Sequence, residues 1–204
     1  MGIASVLVIL SVSIPLFTLA QFFDDLQVGQ YASIFYFVTA GSLILQSALQ
    51  VISPIIVGHL NNNCFVNIRR IASVCYLLAL GFGSAGVVLA EYLGEWVLVL
   101  VYGESFVGLG SLLVTAAFIN LVIAFQSVGG VVLTAHGIFK FQMVVMAVSV
   151  MVSAISSHYF ISSYGVAGAL YAGAITAAFN GLCFGFRVIV ELRKKDGQDM
   201  IEVS

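Results

Sequence analysis

Six stretches of this 204-residue chain run for 20 residues or more without an Asp, Glu, Lys or Arg: Gly2–Phe23, Gln27–Gly58, Ile71–Ala90, Phe106–Gly137, Phe141–Tyr164 and Val166–Phe186. A hydrocarbon slab about 30 Å thick is crossed by about 20 helical residues at 1.5 Å rise each. No soluble core of this size hides so much apolar surface. Only 8% of the residues are charged, against about 25% in an ordinary soluble domain. The chain reads as an all-α polytopic membrane protein with six transmembrane helices.

A β-barrel is excluded, because the runs lack the alternation of apolar and polar residues expected over about ten residues per strand. The first run is a poor secretory signal: it is long, no Lys or Arg precedes it, and Thr18-Leu19-Ala20 is a weak cleavage site. Seven dispersed bases and a net charge of −2 offer no phosphate track for nucleic acid. Cys64, Cys75 and Cys183 have neither CxxC nor metal-ligand spacing and read as small apolar residues.

The connections separate the charges by sign. Asp24 and Asp25 fall in the first, Gln21–Tyr31; Arg69 and Arg70 in the second, His59–Arg70; Glu91, Glu95 and Glu104 in the third, Glu91–Ser105. The fourth, His136–Lys140, holds Lys140, the fifth is uncharged, and the end of the chain brings Arg187, Arg193, Lys194 and Lys195. Alternate connections therefore gather all the bases on one side and these five acids on the other. Short basic loops face the cytoplasm, which predicts both termini inside. Residues 1–192 read as the transmembrane lobe and 193–204 as a cytoplasmic polar tail. Within the third connection, Trp96–Tyr102 is too short to span and reads as a segment lying at the outer interface. Pro15 and Pro54 each remove an amide donor from a span.

Polar residues inside the spans fall on shared faces. Thr39, Ser42, Gln46, Gln50 and Ser53 step by three or four residues along the second run. Asn120, Ser127 and Thr134 step by seven in the fourth, and Thr176 and Asn180 are four apart in the sixth. Amides are unfavourable in hydrocarbon unless bonded. Gln46, Gln50, Asn120, Ser127 and Asn180 thus either bond neighbouring helices or line a wet cavity. Ala169, Gly173, Ala177, Gly181 and Gly185 recur every four residues and predict a ridge for close helix packing. No ionisable residue lies at the middle of a span, and His59, His136 and His158 sit near helix ends. The GxGxxG string at Gly81–Gly86 lies inside an apolar run with no strand before it, so it is no dinucleotide site. No serine has the setting that hydrolytic chemistry needs. An enzyme, a bound cofactor and a metal centre are not expected.

Four short motifs, in order, carry a family resemblance: Val28-Gly29-Gln30-Tyr31, Val101-Tyr102-Gly103-Glu104-Ser105-Phe106, Leu133-Thr134-Ala135-His136-Gly137 with Lys140, and Tyr164-Gly165-Val166-Ala167-Gly168-Ala169. Gly29, Gly103 and Gly165 stand where a helix junction needs φ > 0, and Tyr31, Tyr102 and Tyr164 suit the headgroup level. Their order and spacing resemble the carboxyl-terminal half of the polysaccharide (O-antigen) flippases, in the multidrug/oligosaccharidyl-lipid/polysaccharide exporter superfamily. The resemblance implies one six-helix lobe of a two-lobed transporter in the bacterial inner membrane. It implies as substrate an undecaprenyl-diphosphate-linked oligosaccharide, flipped between leaflets, and as partner a second six-helix lobe from another chain or a second copy. The chain supplies one lobe only and lacks the cavity cations of relatives. A truncated, non-transporting membrane subunit and a multidrug exporter lobe are the alternatives.

Overall fold

A backbone in hydrocarbon has to satisfy its own hydrogen bonds, so apolar runs of this length fold as helices. A computed structural model describes residues 2–62 and 65–202, and every regular element among them is helical. The elements are α1 (Gly2–Phe22), α2 (Asp25–Asn61), α3 (Phe65–Tyr102), a 3-10 turn (Glu104–Phe106), α4 (Gly110–Ala135) and α5 (Phe139–Glu202). Within α5, Gly165 has φ 56° and ψ −127°, so two limbs, 139–164 and 166–202, meet at a sharp break. That backbone is open to glycine and strained for other residues. Four helices are long and apolar enough to cross a membrane: α2, α3, α4 and α5. On that ground the chain is a membrane protein.

Two buried clusters mark two poles. At one pole Leu19, Tyr31, Leu98, Leu113, Ile161 and Val166 pack together. They come from the end of α1, the start of α2, the end of α3, the start of α4 and both sides of the Gly165 break. At the other pole Ile56, Ile68, Leu133, Val145 and Phe184 meet, from the opposite ends of α2, α3, α4 and both limbs of α5. Leu49, Cys75, Ala79, Ala124 and Val128 join the poles through the middle. The chain thus runs back and forth between them. Asp24, Asp25, Glu91, Glu95 and Glu104 lie towards the first pole, and Arg69, Arg70, Lys140 and Arg187 towards the second. Arg187 pairs with Glu191 at 3.4 Å, and its guanidinium lies 5.7 Å from the Phe141 ring centre. The side chains of residues 193–202, with Arg193, Lys194 and Lys195, and residues 203–204 lie outside the described part of the tail.

Several expected boundaries shift. The eleven residues of the first connection shrink to a turn at Phe23–Asp24, with Asp25 in the first turn of α2, where a carboxylate suits the helix dipole. The third connection is mostly helix: α3 continues past Glu91 to Tyr102, and the Gly103 amide still bonds the Val99 carbonyl at 2.9 Å. Trp96–Tyr102 is therefore the last two turns of α3, anchored by the fully buried Leu98, rather than a separate interfacial segment. Of the three junction glycines, Gly103 and Gly165 have positive φ, whereas Gly29 is an ordinary helical residue of α2.

α4 is the central helix, packed on α2, α3 and α5, whereas α2 and α3 touch each other little. Close approach depends on glycine at a few points. A Cβ at Gly83 would collide with Leu121, and one at Gly129 would stand 3.1 Å from the Phe184 Cβ. The 103–109 turn is fixed by side chains. Glu95 Oε1 accepts from the Gly108 amide at 3.0 Å, and Gln30 Nε2 donates to the Ser105 carbonyl at 3.2 Å.

Candidate functional site

The polar residues of the spans sort into a closed seam and an open stripe. The seam begins with Pro15, buried in α1. A proline at this position leaves the carbonyl four residues earlier without its helical donor, and that carbonyl belongs to Ser11. The Ser153 hydroxyl, wholly buried on the first limb of α5, donates to the Ser11 carbonyl at 2.8 Å. Ser149, Ser156 and Ser157 are buried beside it along the same limb. Ser149 and Ser156 donate to carbonyls of their own helix at 2.8 and 2.7 Å. A second tie joins α4 to the start of α5. Gln142, also buried, donates from Nε2 to the Gly130 carbonyl at 2.8 Å and lies 3.3 Å from the Thr134 hydroxyl.

The open stripe is on α2. Gln46 and Gln50 are both exposed, with Thr39 exposed and Ser42 and Ser53 half-buried on the same flank. The Thr39 and Ser42 hydroxyls turn back onto Phe35 and Thr39 carbonyls at 3.1 and 2.8 Å. Pro54, also exposed, leaves the Gln50 carbonyl without its helical donor. The stripe therefore carries amide groups, hydroxyls and a freed carbonyl along about 20 Å of helix. That is chemistry for neutral hydrogen bonding, as a sugar hydroxyl or water would use.

The five candidate cavity residues do not converge. Asn120 of α4 is half-buried and packs against Gly41 of α2, where a Cβ would collide with the Asn120 Nδ2. Gln46 and Gln50 lie about 140° and 180° round α2 from Gly41 at 3.6 residues per turn. Asn120 instead lines a cleft of about 360 Å³ between α2, α3 and α4, whose lining excludes Gln46, Gln50, Ser127 and Asn180. Ser127 is half-buried in α4. Asn180 is buried in the second limb of α5, and its Oδ1 has no partner among the described residues.

The small-residue ridge is realised only in part. Ala169 and Ala177 are buried, but a Cβ on Gly173 or Gly185 would meet nothing within 4 Å, and one on Gly181 only the Gln126 Cβ at 3.9 Å. Close packing occurs instead at Gly41, Gly83 and Gly129, and at Gly168, whose Cβ would strike the Phe160 carbonyl. A fourfold repeat gives a shared face, but says nothing of whether that face meets a neighbour.

Sequence reasoning passed over the serine seam. Its signal was present: Ser149, Ser153 and Ser156 step by four and three, the same pattern that singled out α2, and Pro15 pointed to the Ser11 carbonyl. Among the described residues no three His, Cys, Asp or Glu side chains gather as metal ligands. Compared with known proteins, the chain matches no family model, no curated protein and no solved structure.

Proposed function

We propose that this chain is one lobe of a membrane transporter that flips an undecaprenyl-diphosphate-linked oligosaccharide across the bacterial inner membrane. In this reading the chain crosses six times, α5 contributing two crossings, and both termini are cytoplasmic. The observation that carries it is the exposed amide stripe of α2. Gln46 and Gln50 stand on the outer surface of a helix in which no Asp, Glu, Lys or Arg occurs between Asp25 and the C-terminal end. Left against lipid those amides are unfavourable; facing a second lobe across a wet cleft they have water and saccharide hydroxyls to bond. The gathering of acids and bases at opposite poles supports the orientation, because bases are retained on the cytoplasmic side. The ordered motifs that resemble the polysaccharide flippases supply the substrate class.

The test is export of surface polysaccharide by a strain that lacks its own flippase and is supplied with this chain and an amino-terminal lobe. Export is expected with both halves and absent with either alone. Export lost to a Gln46→Leu/Gln50→Leu variant that still inserts supports the stripe as the saccharide path. Undiminished export by that variant removes it, and no export from the paired halves favours a non-transporting subunit.

A further inference from the structure

The cleft around Asn120 has a shape and a setting of its own. Its wall on α3 runs from Phe82 to Val97, about 22 Å along a helix axis. A volume of about 360 Å³ spread over that length makes a slot rather than a chamber. Asn120 is the one side chain in the lining with a hydrogen-bonding group, so a saccharide there would leave most of its hydroxyls unpaired. The rim residues Phe82, Leu89 and Leu93 are exposed. On α3 the uncharged interval from Arg70 to Glu91 is about 31 Å, which matches the hydrocarbon thickness. The slot therefore opens into lipid tails from Phe82 to Ala90 and reaches the headgroup level from Leu93 to Val97.

The slot also lies where protein contact is thin. α2 and α3 hardly touch, and each rests on α4. Its upper part shares Val38, Ala90, Leu113 and Ala116 with the acidic-pole cluster. That pole holds Asp24, Asp25, Glu91, Glu95 and Glu104, with His158 and no Lys or Arg among the described residues. A headgroup at this level meets a negative field, which disfavours a diphosphate and favours a lipid that carries an ammonium.

We infer that the α2–α3–α4 slot binds one acyl chain of an ethanolamine phospholipid, which completes the wall between α2 and α3. The inference rests on the membrane placement and not on the saccharide reading. The chain lies along Gly86, where a Cβ would meet nothing within 4 Å.

The probe is phosphatidylethanolamine with a diazirine in one acyl chain, incorporated into vesicles with the purified chain, photolysed and mapped by peptide mass spectrometry. Label is expected in residues 82–97 and 113–120. A Gly86→Phe variant, which fills the slot, is expected to lose at least fivefold of it, whereas Gly29→Phe, at another open position, keeps it. Absence of label at these residues in the unmodified chain overturns the inference, as does label in Gly86→Phe equal to that in the unmodified chain. Preferential labelling by a diazirine undecaprenyl phosphate in a parallel arm overturns the choice of occupant. Polysaccharide export lost with slot labelling intact strikes the saccharide reading alone.

Discussion

α1 and α2 each carry one proline and a set of hydroxyl groups, with no charge beyond Asp25 in the first turn of α2, yet the two helices meet opposite fates. In α1, the carbonyl freed by Pro15 is taken up inside the chain by Ser153, at 2.8 Å and away from solvent. In α2, Pro54 is exposed, and the Gln50 carbonyl it frees lies on the flank that also exposes the Gln46 and Gln50 amides. Polar groups in lipid need partners. Where the partner is supplied internally, the polar residue is structural. Where the surface leaves it unsupplied, something outside the chain has to provide it. Polar groups are satisfied within the chain along α1 and left open along α2.

Substitutions that attack the satisfied side should have the largest effect. Ser153→Leu puts extra carbons into a wholly buried contact and removes the donor to the Ser11 carbonyl, so folded yield should collapse, as read by monodisperse elution after detergent extraction. Ser153→Ala leaves the packing and removes only the donor. It should cost about 0.6–2 kcal/mol, the scale of an interhelical hydrogen bond in a membrane protein, measured by denaturant titration in mixed micelles. In a Pro15→Ala background that cost should nearly vanish, because the substituted alanine restores a backbone amide for the Ser11 carbonyl. A double-mutant cycle with no coupling would break the pairing of Pro15 with Ser153.

On the open side the same stability measurement should barely respond. Gln46→Leu with Gln50→Leu should leave the stability of the lone lobe within about 0.5 kcal/mol, as for surface changes away from any special feature, and its effect should appear in export alone. The smallest effect is expected at Gly173. Gly173→Ala meets open space and should leave thermal stability unchanged or slightly raised, since alanine suits a helix better than glycine does. Gly129→Ala, 3.1 Å from the Phe184 Cβ, should destabilise. Equal behaviour of the two glycines would erase the distinction drawn between ridge and contact.

Much of the architecture was legible from composition and spacing. Uncharged runs located the helices, and the sign of each connection separated Asp24 and Glu104 from Arg70 and Lys140. The length of α3 was obscured by Glu91 and Glu95, which read as loop residues; a helix end tolerates exposed carboxylates once it leaves hydrocarbon, and Leu98 holds it to the core. Faces were legible too, but their neighbours were not. Gln46 and Gln50 share a flank as expected, whereas their separation from Asn120 depends on which way α2 turns against α4. Periodicity within one helix carries no record of that rotation. The surroundings of the Gly173 repeat were hidden for the same reason, while the serine seam needed two weak signals from segments 142 residues apart to be read together.

The central claim is that the α2 stripe faces water across from a second lobe. It is tested most directly by placing single cysteines at Gln50 and at Ser153, with Cys64, Cys75 and Cys183 replaced, in cells that also make an amino-terminal lobe. A small water-soluble thiosulfonate reacts with the thiolate, which forms only where water reaches. Rapid labelling at position 50 and none at position 153 is the expected result. Equal protection of both positions would contradict the account, because it would put the α2 amides in lipid or against protein rather than in a wet path.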